Sequence, residues 1–169
     1  MHCIEEPEPG NFKTPDHCDE GEESVRATEP LFRDYGGAGS FCGPKATVRV
    51  FEDNVLVRET LETEGSRRVL VVNSGGSPRC TLIGERLAQF AYQNGWAGVV
   101  INGCIRDSEE ISKIIVGVKA LHIVPKRSSK EGVGERDVPV SFAGVTFAPG
   151  HYLYADGDGI MVADRELLP

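Results

Sequence analysis

Four apolar residues in a row, Val69-Leu70-Val71-Val72, stand between Arg68 and Asn73 with no polar residue among them. A strand with one wet face alternates; a strand without alternation is covered on both faces, as in a parallel sheet flanked by other layers. Gly98-Val99-Val100-Ile101-Asn102-Gly103 is a second run of this kind, and Val118 to Val124 reads as a third. The intervening segments read as helices. Over 81–94, Ile83, Leu87, Phe90 and Ala91 share one stripe and Gly95 ends it. Over 107–115 the first turn carries Asp107, Glu109 and Glu110, where carboxylates suit the helix dipole. Strand, helix, strand, helix, strand implies right-handed crossovers and a mainly parallel central sheet.

The flanking segments add to this core. Residues 16–34 read as a helix capped by Asp16 or Asp19, with Val25, Leu31 and Phe32 on its buried side, broken by Gly36, Gly37 and Gly39. From Lys45 to Phe51, Ala46, Val48 and Val50 alternate with Lys45, Thr47 and Arg49, the period of a half-buried strand. A short helix at 54–63 precedes Gly65. Short strands at 138–142, 145–147, 152–155 and 159–163, between glycine or proline turns, predict an antiparallel β layer or small barrel beside the core. The expected organisation is an acidic arm over 1–13 and one α/β domain over 14–169, a size that one core can serve.

Charge and composition exclude several functions. The net charge is −8, and residues 1–23 contain eight acids and one base, so the remainder is close to neutral. A phosphate-backbone binder shows a basic stripe instead, so direct nucleic-acid binding is not expected. No apolar run reaches the roughly 20 residues of a membrane span. The start, Met1 to Gly10, has neither the basic nor the apolar region of a signal peptide, and a cytoplasmic location is the expectation. The five cysteines (Cys3, Cys18, Cys42, Cys80, Cys104) are odd in number and lack a CxxC pair; they read as reduced packing residues. The histidines His2, His17, His122 and His151 show no ligand spacing, and His122 reads as a packed strand residue.

Two segments that follow strands could carry chemistry, because open α/β sheets bind ligands beyond the carboxyl ends of their strands. The first is Asn73-Ser74-Gly75-Gly76-Ser77-Pro78-Arg79. It lacks the lysine and spacing of a P-loop, and Arg79 stands where a nucleophile elbow needs glycine. By itself the loop reads equally as a tight turn or as an anion cradle, with Gly75, Gly76, Ser77 and Arg79 as supporting residues. The second is Asn102-Gly103-Cys104-Ile105-Arg106-Asp107. A guanidinium binds carboxylate with a planar fork, and an aspartate is a hard ligand for Mg²⁺ or Mn²⁺. Taken as two residues alone, a surface ion pair with Asp107 as a helix N-cap is the simpler reading.

Phe51-Glu52-Asp53-Asn54, Val69 to Arg79, Asn94 to Gly103, Gly132-Val133-Gly134-Glu135 and Tyr154 to Ile160 closely resemble the regulator of ribonuclease activity A family, which includes the 4-hydroxy-4-methyl-2-oxoglutarate aldolases. The resemblance runs in order and spacing from about residue 14 to residue 165. It implies a swivelling β/β/α domain assembled as trimers or hexamers. It also implies one of two functions: a metal-dependent aldolase, or a non-catalytic protein that binds and inhibits an RNA-degrading endoribonuclease. The aldolase branch carries an aspartate, twenty residues, then Arg-Asp. Here Arg106-Asp107 matches, twenty residues separate Arg106 from Glu85, and Glu85 stands where the aspartate is expected. Glu110 matches an acidic position that follows the pair, and Asn73 replaces an aspartate usual in the glycine loop.

The chemistry implied is cleavage of 4-hydroxy-2-oxo acids to pyruvate, with oxaloacetate decarboxylation, through a metal-stabilised pyruvate enolate. In that reading Asp107 anchors Mg²⁺ or Mn²⁺ and Arg106 binds the pyruvyl end. The N–H groups from Gly84 through Glu85 and Arg86 to Leu87 support the substrate carboxylate, and Glu85 is the base for the C4 hydroxyl. No lysine is expected in this set, which disfavours a Schiff base. A menaquinone methyltransferase, an older family label, finds no GxGxxG loop here. The expected partners are a small 2-oxo acid and copies of this chain, with a ribonuclease under the second reading.

Overall fold

The structure, a computed structural model, describes residues 12–20 and 24–167. The chain opens with α1 (Thr14–Glu20), β1 (Val25–Ala27), β2 (Arg33–Asp34) and the long strand β3 (Phe41–Arg49). The α/β core follows as α2 (Val55–Leu61), β4 (Val69–Asn73), β5 (Thr81–Ile83), α3 (Glu85–Gln93), β6 (Gly98–Ile105), α4 (Ser108–Ile111) and β7 (Gly117–Ile123). Strands β8 (Glu135–Arg136), β9 (Val140–Phe142), β10 (Val145–Phe147), β11 (Tyr152–Asp156) and β12 (Gly159–Ala163) complete the described elements.

The predicted parallel centre is present: β3, β4, β6 and β7 lie side by side, each parallel to its neighbour. Antiparallel strands extend it, β2 beyond β7, and β11, β12 and β1 in turn beyond β3. β9 and β10 form a separate hairpin. The apolar run of β4 serves two cores, which is why it has no alternation. Leu70 and Val72 pack with Val57, Leu61, Leu87 and Ala91 of the helices. Val69 and Val71 pack with Phe41, Phe147 and Leu153 of the β layer. Each such fully buried side chain contributes about 1.5–3 kcal/mol. Gly98 and Gly117 face each other across β6 and β7. A Cβ would stand 2.4 Å from the Phe41 ring at Gly98 and 2.0 Å from it at Gly117, so both glycines are needed for the ring to lie on the sheet.

Several local expectations are corrected. Residues 16–34 are not one helix: α1 ends at Glu20, and Val25–Ala27 pairs with Met161 to Ala163 instead. β-branched Val25 suits a strand, and Pro30 has no N–H with which to continue a helix. The helix expected over 81–94 begins at Glu85, because Thr81–Ile83 pairs with the end of β6. The helix expected over 107–115 is a single turn, Ser108–Ile111. Lys45 and Thr47 are buried, not solvent-facing. The β layer covers them, and their polar atoms are answered by the carbonyls of Tyr152 and Val138. His122 lies on β7 as expected but is exposed. Of the expected arm, residues 1–11 lie outside the described residues, while Phe12 is buried edge-on against Tyr154. Cys80 and Cys104 are buried free thiols, and Cys18 and Cys42 are half-buried ones. No helix among the described residues is long and apolar enough to cross a membrane.

Candidate active site

β5 and β6 run parallel with Ile83 beside Ile105, and the Arg106 N–H donates to the Ile83 carbonyl at 3.0 Å. The residues after each strand, Gly84-Glu85 and Arg106-Asp107, therefore leave the sheet together at its carboxyl edge. Helix α3 uses the intervening residues to cross over and bring β6 back beside β5. Asp107 adopts left-handed backbone geometry, φ 58° and ψ 41°, which aspartate tolerates better than most residues. Its carboxylate turns toward α3, and Oδ2 accepts the Glu85 N–H at 2.9 Å. Gly84, the α3 N-cap, has no side chain to cap with; a Cβ there would stand 2.7 Å from Asp107 Oδ2. Asp107 thus caps α3 from another element, and Gly84 makes room for it. The first-turn N–H groups of Arg86 and Leu87 have no acceptor within the helix.

Arg106 Nη1 donates to the Pro125 carbonyl at 3.3 Å, which tethers the guanidinium and leaves donors of its fork to spare. Arg106 and Asp107 form the partition between two cavities. One, of about 170 Å³, has Gly84, Glu85, Arg86 and Leu87 on its wall. The other, open and of about 510 Å³, is lined by Glu109, Glu110 and Ile123. The structure therefore brings Arg106, Asp107, Glu85, Gly84, Arg86 and Leu87 to one cavity, and Glu110 to the neighbouring one that shares Arg106 and Asp107.

Gly75, Gly76, Ser77 and Arg79 are not in either cavity. The Gly75 N–H is taken by Asn73 Oδ1 at 3.0 Å and the Gly76 N–H by the Asn102 carbonyl at 3.1 Å. Ser77 and Arg79 both bond Glu52. The backbone N–H groups of Ser74 to Ser77 and of Arg79 are taken within the turn or by the Asn102 carbonyl, as in the tight-turn alternative, while the buried Ser74 hydroxyl has no partner among the described residues. The same geometry explains Asn73: its Oδ1 accepts from both Gly75 and the Asn102 side chain, an acceptor role that an aspartate would also fill. Cys104, although next to the site, is buried, and burial pushes its thiol up, away from nucleophilic use.

The sequence reading missed the segment after β7. Arg127, Ser128 and Lys130 line the smaller cavity, and the basic run Lys126-Arg127-Ser128-Ser129-Lys130 was the available signal. The expectation that no lysine joins the set is corrected by Lys130. It is exposed, with Nζ 3.5 Å from Asn54 Oδ1, unlike the desolvated amine of a Schiff-base site.

No group of three or more histidine, cysteine or acidic side chains suited to a metal occurs among the described residues. A closed four-ligand zinc site is thus not built from them. Asp107, Glu109 and Glu110 all line the open cavity without converging as one ligand set, so Asp107 with at most one of the two glutamates is the donor set on offer. That donor set fits Mg²⁺ or Mn²⁺, which retain waters and take further oxygens from substrate.

Comparison with known proteins identifies the family and the fold. The sequence model of the RraA-like family, Aldolase/RraA, matches residues 14–162. The "Putative 4-hydroxy-4-methyl-2-oxoglutarate aldolase" of Aromatoleum aromaticum is 52% identical over 157 residues, covering 93% of this chain and 99% of that protein. A Geobacillus kaustophilus crystal structure, described as S-adenosylmethionine: 2-dimethylmenaquinone methyltransferase, superposes with TM-score 0.91 at 52% identity, covering 92% of this chain and 97% of that one. The RNA-processing inhibitor RraA from Thermus thermophilis superposes with TM-score 0.90 at 44% identity, covering 93% and 95%.

Proposed function

Because the chain belongs to the RraA-like family, we propose that it is a divalent-metal-dependent lyase. In this reading it cleaves 4-hydroxy-2-oxo acids of the 4-hydroxy-4-methyl-2-oxoglutarate type to pyruvate and also decarboxylates oxaloacetate. The observation that carries the reading is the Arg106-Asp107 pair fixed against the start of α3, with Glu85 on the same cavity wall.

The pyruvyl carboxylate meets the first-turn N–H groups of Arg86 and Leu87, where the helix dipole favours an anion. The Arg106 fork holds the same end of the substrate. Asp107, with Glu109 or Glu110, would hold Mg²⁺ or Mn²⁺, which supplies Lewis-acid stabilisation of charge developing on the 2-oxo oxygen. Glu85, directly or through a water, takes the proton of the C4 hydroxyl. The C3–C4 bond breaks as that oxygen becomes a carbonyl, and the electron pair leaves on C3 as pyruvate enolate. Arg106 balances the enolate charge, and protonation at C3 gives pyruvate. Oxaloacetate reaches the same enolate by losing CO₂ and needs no hydroxyl base.

The test is pyruvate release from 4-hydroxy-4-methyl-2-oxoglutarate and from oxaloacetate with Mg²⁺, arrested by EDTA and restored by excess metal. The likeness to the Thermus RNA-processing inhibitor favours one other reading, a protein that binds and inhibits a ribonuclease. Inhibition of RNA cleavage with no lyase activity on either acid would establish that reading in place of the first. A methyltransferase has no supporting glycine loop, since the turn at Asn73–Ser77 is closed on itself.

A further inference from the structure

The wall of the smaller cavity that does not come from α3 is made by residues 126–130, and this segment is tied down on two sides. The Thr81 N–H donates to the Lys126 carbonyl at 2.8 Å, and Thr81 bridges Arg127 in parallel fashion. The Ser129 N–H donates to the Glu52 carbonyl at 2.8 Å, the Asn54 N–H donates to the Ser129 carbonyl at 3.3 Å, and Asp53 bridges Ser129. Ser128 is therefore held between two anchored neighbours.

Ser128 is 6% exposed, and its hydroxyl has no hydrogen-bond partner among the described residues. Buried hydroxyls are almost always partnered, because an unmet one is a standing cost. Ser128 is among the residues lining the smaller cavity, most of which carry polar side chains. That cavity is also cationic, with five arginine and lysine side chains against the carboxylates of Glu85 and Asp107. Arg58 is answered by Glu62 at 2.7 Å, and Arg106 is the residue proposed above to hold the pyruvyl end. Arg86, Arg127 and Lys130 have no anionic partner among the described residues, and of these Arg127 is the chain neighbour of Ser128.

We infer that Ser128 and Arg127 bind the far carboxylate of the substrate, the one attached to C4, and so select dicarboxylic 2-oxo acids over monocarboxylic ones. The inference rests on the lyase reading above and assigns its substrate selectivity. Ser128 donates its O–H to the carboxylate, Arg127 supplies the charge, and the α3 start with Arg106 holds the opposite end.

The experiment is calorimetric binding to the full chain with Mg²⁺, using two probes that lack the scissile hydroxyl: 2-oxoglutarate, which has a far carboxylate, and pyruvate, which has none. In Ser128→Ala and in Arg127→Met, 2-oxoglutarate affinity is expected to fall about tenfold or more, the size of a lost hydrogen bond to a charged group. Pyruvate affinity should stay within about twofold of wild type, because its partners are untouched. The ligand-free Ser128→Ala protein should melt no lower than wild type, since an unmet hydroxyl is removed. Wild-type ratios of the two affinities in both variants would overturn the assignment and leave the lyase reading standing. Failure of the unmodified protein to bind either acid would overturn both. An equal loss for both acids, with a lowered melting temperature for Ser128→Ala, would show Ser128 to be structural and also overturn the assignment.

Discussion

Asp107 Oδ2 accepts the backbone N–H of Glu85 at 2.9 Å, so the carboxylate proposed to anchor the metal also closes the first turn of the helix proposed to bind the substrate. Negative charge at a helix start is favourable by itself. The two residues, 22 positions apart in sequence, are joined by this bond, beside the one from the Arg106 N–H to the Ile83 carbonyl.

Substitution at Asp107 should separate its two roles. Asp107→Asn keeps an acceptor for the cap and tolerates left-handed backbone, so urea unfolding should change little while pyruvate release disappears. Asp107→Ala loses cap and anchor together; activity vanishes, and stability should fall by about 1 kcal/mol, the size of a lost N-cap. An active Asp107→Asn protein would remove Asp107 from the metal site.

Glu85→Gln should distinguish the two reactions. Loss of a general base typically costs about 10²–10⁴ in rate, so aldol cleavage should fall by that much. Oxaloacetate decarboxylation removes no hydroxyl proton and should stay within about tenfold. Equal loss of both, measured as kcat on each acid, would make Glu85 a positioning residue.

Gly84→Ala tests the close approach. The added methyl would stand 2.7 Å from Asp107 Oδ2, so either the carboxylate or the helix start must shift. The backbone itself is extended, φ −114° and ψ −167°, and accepts alanine. Folding should therefore survive while kcat falls for both acids. Wild-type turnover would show that the Asp107–Glu85 bond is dispensable.

Acid should loosen the contact between α1 and the β11–β12 hairpin. Burial pushes the Asp156 carboxyl up, but hydrogen bonds outweigh it and hold the group below its ordinary value. Thr14 N–H and Oγ1 both donate to it at 2.8 Å, and the Asp158 N–H donates at 3.0 Å. With its folded value depressed, Asp156 stabilises the fold above the ordinary carboxylate range, near pH 4, and that stability is lost as pH falls through the lower folded value. Asp156→Asn should flatten the fall in denaturation midpoint below about pH 4 relative to wild type. An unchanged slope would assign acid sensitivity to other carboxylates.

Assembly is expected to be threefold. Phe51 and Ile123 are 61% and 52% exposed, large apolar side chains that association would cover. Light scattering at micromolar concentration should give the mass of three or six chains; a monomer mass would contradict it.

The centre of the sheet was legible in the chain, because Val69 to Val72 and Val99 to Ile101 are unbroken apolar runs of strand length, rich in β-branched residues, that must be covered on both faces. The sequence also determined that Arg106 and Asp107 follow such a strand, the position at which ligands meet open sheets. The remaining elements depend on contacts made across the fold. Thr81–Ile83 is a strand only because the end of β6 offers hydrogen bonds, although Ile83 fits the helical stripe equally well. Val25–Ala27 is a strand only because β12 is beside it. The buried Lys45, the cap from Asp107 to Glu85, and the placing of Ser128 and Arg127 opposite α3 likewise depend on partners far along the chain. Local pattern records which side chains must be buried; it does not record which distant backbone will answer their hydrogen bonds, and at this site that answer sets the geometry.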